Sequence, residues 1–248
     1  MTVKDIIDRV LLLYHDEQYI RVQKHQYLQL LDDAILQTIL VRPDAHEKRE
    51  TLQLKPGPRQ ELPDDAYALV DIYNNRIPLN INDPNDAMDG KPVYQVARKD
   101  LDYYSNWYSN PSSRSEIDEF AFDIRSPKKF WVNPPVPYDT KVYVEIGYSY
   151  QHTKYSNLDT DYESVLLLEL EIPEEFRTAL VSYMLYLLYS TDSTSEMDRK
   201  IAQDYLQTFY QTLGIVNKAT FDNAPHIKEE THHGMNLHDK ALRAGGTA

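Results

Sequence analysis

The sequence predicts an α+β fold: a helical bundle made from N- and C-terminal helices, a small antiparallel β insertion between them, and an extended C-terminal tail. Three observations predict it. Apolar residues recur at helical spacing near both ends, alternate in the middle, and lose any pattern after Val216. The expected division is a folded domain over residues 1–215 and a tail over 216–248. Within the domain, 1–45 and 172–215 are expected to be helical and 50–150 β-rich.

Residues 2–14 open with Thr2 and Asp5, the spacing of a capping box. Ile6, Ile7, Val10, Leu11 and Tyr14 then share one helical face. Residues 22–40 repeat the pattern with Leu28, Leu31, Ala34, Ile35, Thr38 and Ile39, and Pro43 is expected to end that helix. Leu52 and Leu54 alternate as in a strand, and Pro56-Gly57-Pro58 reads as a turn. Ala66 to Tyr73 reads as a strand ended by Asn74-Asn75. Residues 80–92, rich in Asp, Asn, Pro and Gly, read as a loop. Val93 to Tyr104 fits a short helix or an irregular edge. Phe120, Phe122 and Ile124, then Phe130 to Val132, then Val142, Val144 and Ile146 suggest an antiparallel meander. Asn133 to Pro137 is its expected stiff connection.

Residues 172–213 read as a helical hairpin, with Pro173 at its start and Glu174 and Glu175 in the positive first turn. Residues 176–189 are apolar nearly all round, which demands burial on several sides. The second helix carries Met197, Ile201, Tyr205, Phe209 and Leu213, and Gly214 fits a C-terminal cap.

Composition excludes several functions. There is no Cys, so disulfides and thiolate metal sites are out. The longest apolar stretch, Leu180 to Tyr189, is too short to span a bilayer. Net charge is −13. Residues 217–248 hold four Lys/Arg and four Asp/Glu, so residues 1–216 carry the whole imbalance. Such a surface repels phosphates, and negligible duplex DNA affinity is expected at physiological salt. Tyr is abundant, at 20 residues, and Tyr is enriched at protein interfaces.

No catalytic motif stands out. Gly-x-Ser-x-Gly, phosphate-binding Gly-rich loops and His-Glu-x-x-His are absent. Asp83 to Gly90 resembles a calcium loop, but Ala87 and Met88 break its register. Glu229, Glu230, His232, His233 and His238 fit no closed metal site. The acidic pairs Asp64-Asp65, Asp159/Asp161 and Glu169/Glu171 read as solvated surface. Tyr103-Tyr104, Trp107-Tyr108 and Tyr148/Tyr150 lack the Lys/Arg that accompany base stacking, so core or protein interface is the better reading.

The order of segments carries a resemblance. It begins with Val41-Arg42-Pro43-Asp44-Ala45 after the helical stretch. Gly57, Gln60, Leu62 and Pro63 follow, then the apolar strand running into Asn74-Asn75. Leu101-Asp102 and Trp107 come next, then Pro127, Phe130, Val132, Pro134 and Pro135, then Val142 to Tyr148. Ile172-Pro173 opens the last helix pair, ending at Phe209, Leu213 and Gly214. This layout, over residues 1–215, resembles the head-to-tail adaptor (connector) proteins of short-tailed bacteriophages. Residues 80–92 and the stretch after 216 depart from it.

The resemblance implies a structural virion protein, made in the host cytoplasm and held at the neck. Its members form a dodecameric ring between the portal protein and the tail nozzle, through which DNA passes. It implies no catalytic residue, no cofactor and no membrane. The tail is the expected portal-docking device: Phe221, Ile227, Met235, Leu237 and Leu242 are spaced anchors on a polar strand too poor in apolar residues to fold alone. Two other functions remain open to the sequence, a carboxylate-dependent hydrolase and a non-ring interaction module of a tail or baseplate.

Overall fold

The structure is a computed structural model that describes residues 1–80, 83–102, 107–108, 114–123, 125–191 and 196–223. The first elements are α1 (Val3–Tyr14), α2 (Lys24–Val41), β1 (Glu47–Gln53), β2 (Gly57–Glu61), β3 (Ala66–Asn80), β4 (Asp83–Pro92) and β5 (Tyr94–Gln95). After them come α3 (Arg98–Leu101), β6 (Glu119–Phe122), β7 (Lys129–Val136), β8 (Tyr143–Tyr150), α4 (Tyr162–Leu166), α5 (Arg177–Thr191) and α6 (Glu196–Asn223).

The helices follow the sequence pattern closely. Thr2 Oγ1 accepts the Asp5 N–H at 3.3 Å, and Asp5 Oδ2 accepts the Thr2 N–H at 2.8 Å, so the capping box of α1 is complete. Helix α2 stops before Pro43, which opens a short 3-10 turn over Pro43–His46. Helix α5 packs against α1, α2 and α6, which explains why its sequence is apolar on several sides. These helices fill one apolar core with Ile6, Tyr27, Leu31, Phe176, Leu180 and Phe209.

The helical bundle with a small β insertion is overturned. The β region forms two four-stranded sheets, ordered β1-β8-β3-β4 and β2-β7-β6-β5. Leu69, Ile72, Val144 and Ile146 from the first and Phe120, Phe130 and Val132 from the second share a further apolar core. The fold is α+β with a substantial β body. The simple meander also fails: β6 pairs with β7, but β8 lies between β1 and β3, and β5 runs parallel to β6.

Each misreading has a local cause. Asn74-Asn75 was expected to end a strand, yet β3 continues to Asn80 and pairs with β4 over residues read as a loop. The Asn75 side chain is buried and serves as a strut. It donates to the Lys91 carbonyl at 3.0 Å and the Ile117 carbonyl at 2.8 Å, and accepts the Ile117 N–H at 2.8 Å. A turn residue and a buried strut look alike in sequence, because both use the same short amide. Gly90 passes so close that an added Cβ would lie 3.0 Å from the Asn75 carbonyl oxygen. Asn133-Pro134-Pro135 belongs to β7 rather than to a connection. Gly214 lies inside α6 instead of capping it, an interior glycine whose helical cost is about 1 kcal/mol. Ile124 lies outside the described residues.

Asn75→Ala is expected to destabilise the protein by about 2–3 kcal/mol, because it leaves the Ile117 N–H and two carbonyls without their partner. Urea unfolding measures this, and a loss below about 0.5 kcal/mol would remove Asn75 as a strut between the sheets.

Candidate interaction site

The residues that carry the adaptor resemblance turn out to build the scaffold. Gly57 has φ +100°, a conformation that favours glycine, at the start of β2. Gln60 is buried beside it and closes the turn. Its Nε2 donates to the Lys55 carbonyl at 2.7 Å and the Gly57 carbonyl at 3.0 Å, while its Oε1 accepts the Lys55 N–H at 2.7 Å. Phe130 and Val132 lie in the β core. Trp107 and Trp131 flank the Arg98 guanidinium at 5.1 and 4.2 Å, a cation–π sandwich. Trp107 also donates to Asp102 at 3.3 Å. Gly57, Gln60, Trp107, Phe130 and Val132 therefore fix shape.

The acidic pairs Asp64-Asp65, Asp159/Asp161 and Glu169/Glu171 are exposed, as expected from the sequence, and some of these residues also make local contacts. Asp161 caps α4 through the Ser164 N–H at 3.0 Å. Glu171 accepts from Thr153 Oγ1 at 3.1 Å and stands 3.0 Å from His46 Nε2. The Asp64 carbonyl accepts from Lys128 Nζ at 3.1 Å.

Three buried titratable side chains and one exposed carboxylate, Glu171, meet where the helices join the first sheet. His46 follows α2, His152 follows β8, Asp32 comes from the middle of α2, and Glu171 precedes α5. Asp32 is buried and accepts the Tyr155 and Ser156 N–H groups at 2.9 and 3.0 Å. His152 is buried with no hydrogen-bond partner on either ring nitrogen, 4.0 Å from Asp32. Burial holds both histidines below their ordinary pKa, against the pull of Glu171 on His46 and of Asp32 and Glu171 on His152. Asp32 had a sequence signal: it shares the apolar face of α2 with Leu28, Leu31 and Ile35. The histidines had none.

Of the expected docking anchors, Phe221 falls within the span of α6, while Ile227, Met235, Leu237 and Leu242 lie outside the described residues. So do Glu229, Glu230, His232, His233, His238, Tyr103 and Tyr104. Among the described residues no cluster of His, Asp and Glu could hold a metal ion, and no helix is long and apolar enough to cross a membrane. Asp83 to Gly90, the stretch that resembles a calcium loop, is strand β4.

A model of the SU10 adaptor protein family matches residues 1–228. The chain belongs to this family. No curated protein matches it. The family is one of structural bacteriophage head–tail adaptors, so the chain is a virion protein that contacts other virion proteins.

Proposed function

We propose that this adaptor forms a ring of twelve copies between the portal protein and the tail nozzle, and that DNA passes through it. The observation that carries the reading is the family match along residues 1–228. The excess of carboxylates supports it, because a wall of like charge lets DNA slide without sticking. The segment after α6 is the docking device, with Ile227, Met235, Leu237 and Leu242 as anchors on a strand that folds on binding, and Phe221 at its root. Ordering such a strand costs about 2–5 kcal/mol. A ring offsets this, because docked copies hold the remaining tails at high effective concentration.

Because α6 runs to Asn223, a chain stopped at Val216 would lose helix as well as tail. The clean variant stops after Asn223. Imaging of the full chain mixed with portal is expected to show rings on portal. The shortened chain should keep the full chain's circular dichroism but fail to stay on portal. Single copies in place of rings would overturn the ring. Retention of the shortened chain equal to that of the full chain would overturn the docking role.

A further inference from the structure

Strands β3 and β4 form a ribbon that outruns its sheet. The last pairing of β3 with β8 is Arg76 to Tyr143. Beyond it, Ile77 faces Met88 and Pro78 faces Ala87, with no third strand paired beside them among the described residues. One face of this ribbon is apolar and uncovered: Ile77 is 44% exposed, Leu79 61% and Met88 53%. A two-stranded ribbon in water is marginal by itself, and an exposed apolar face of this kind marks a contact. The ribbon is acidic at its edge, with Asp86 exposed and Asp89 paired to Arg76 on the other face.

The helical layer carries a recess of matching character. A groove of about 760 Å³ lies between α1, α5 and α6, floored by Leu12, Leu13, Val181 and Leu185. Leu12 is half exposed there. Arg9 and Arg177 stand on its rim, along with Asp5 and Asp8. Arg177 already faces Asp5 and lies 3.5 Å from Glu174, so Arg9 is the cation that the rim offers to an incoming carboxylate.

We infer that the Ile77/Leu79/Met88 face of the ribbon seats in the α1/α5/α6 groove of a second copy of this chain. The ribbon of the same chain leaves its own groove empty, so the occupant comes from another molecule. Asp86 then meets the Arg9 side of the rim. A projecting patch and a separate recess make a heterologous contact, which propagates from copy to copy and closes into a ring when the rotation allows. Three side chains are far below the area of a stable dimer, so the contact is weak in isolation and effective only when repeated around a closed assembly. This rests on the ring reading above and supplies its subunit contact.

The absence of cysteine makes the test clean. Full-length Leu79→Cys and Leu12→Cys chains are mixed at high concentration and oxidised. The expected product is a disulfide-linked pair containing one of each. In sedimentation, Leu79→Asp should weaken self-association about tenfold or more, because it forces a carboxylate into an apolar contact. Leu167→Asp, at another exposed apolar position, should leave it unchanged. Preferential Leu79–Leu79 pairing would overturn the inference in favour of a symmetric contact. Oligomers without the mixed pair would overturn this contact but not the ring. A chain that stays monomeric at every concentration and gives no mixed pair would overturn this contact, while the ring itself is decided by imaging with portal.

Discussion

Asp16→Ala is expected to be among the most damaging single substitutions in the chain, lowering stability by about 3–5 kcal/mol. Asp16 is 3% exposed in the link between α1 and α2. One carboxylate oxygen accepts the Ile20 and Arg21 N–H groups at 2.7 and 3.0 Å. The other accepts the Val22 N–H at 3.1 Å and the Tyr27 hydroxyl at 2.9 Å. Burial pushes its pKa up, but the Arg21, Val22 and Ile20 N–H groups and the Tyr27 hydroxyl outweigh burial and hold it below the usual carboxylate value. Alanine would strand all four donors, and Tyr27 is fully buried with no other outlet. The link is also bent tightly, with His15 and Tyr19 both at φ +56°, and its backbone bonds, Asp16 N–H to the Leu11 carbonyl at 3.1 Å and Tyr19 N–H to the Asp16 carbonyl at 2.9 Å, leave residues 20–22 to the carboxylate. Asp16→Asn keeps one acceptor oxygen and should lose roughly half as much. Urea unfolding compares both with Asp8→Ala on the exposed face of α1. An Asp16→Ala loss no larger than that of Asp8→Ala would show that water serves the link equally well.

That carboxylate illustrates what the sequence could and could not reveal. The helices were legible because their apolar stripes follow one period and their caps use local residues, as with Thr2 and Asp5. Strands with clean alternation were legible too, such as β8 with Val144 and Ile146 buried. Residues 74–92 were not, because Asn75 and Gly90 earn their places through partners distant in sequence. A Pro-, Asp- and Asn-rich strand at a sheet edge also has the composition of a loop, since such residues discourage unwanted pairing there. The sheet order was beyond reach for a related reason: β1 pairs with β8 across nearly the whole β region, a contact no local pattern encodes. The adaptor signature was legible as an ordered set even though its physical content, a Gln60 turn lock and an Arg98 sandwich, appears only in three dimensions.

Acid should loosen the junction of helices and sheet through its two buried histidines. His46 and His152 are buried with pKa values lowered by desolvation. The groups facing them are Asp32 from α2, Glu171 ahead of α5, Tyr150 at the end of β8, and Tyr155 and Lys154 after it. A histidine whose folded pKa lies below its unfolded value binds its proton more readily in the unfolded chain. Its neutral form therefore supports the fold fully above about pH 6.5, and that support drains away as pH falls below the unfolded value. Each such group adds a slope of up to about 1.4 kcal/mol per pH unit below the unfolded value. Asp16 acts in a lower window: its folded pKa is depressed, so its contribution persists above about pH 4 and is lost only below it. The two effects separate on the pH axis. His152→Phe isolates the first, since it keeps a buried ring while removing the proton site. Neither ring nitrogen of His152 has a partner, so the substitution breaks no hydrogen bond and should stabilise the protein at pH 7 by about 1 kcal/mol. It should also flatten the slope between pH 7 and 5, leaving the part due to His46. Urea midpoints at pH 7.5, 6.5 and 5.5 for the two proteins decide it. Parallel curves would mean that His152 is not the group through which acid reaches the junction.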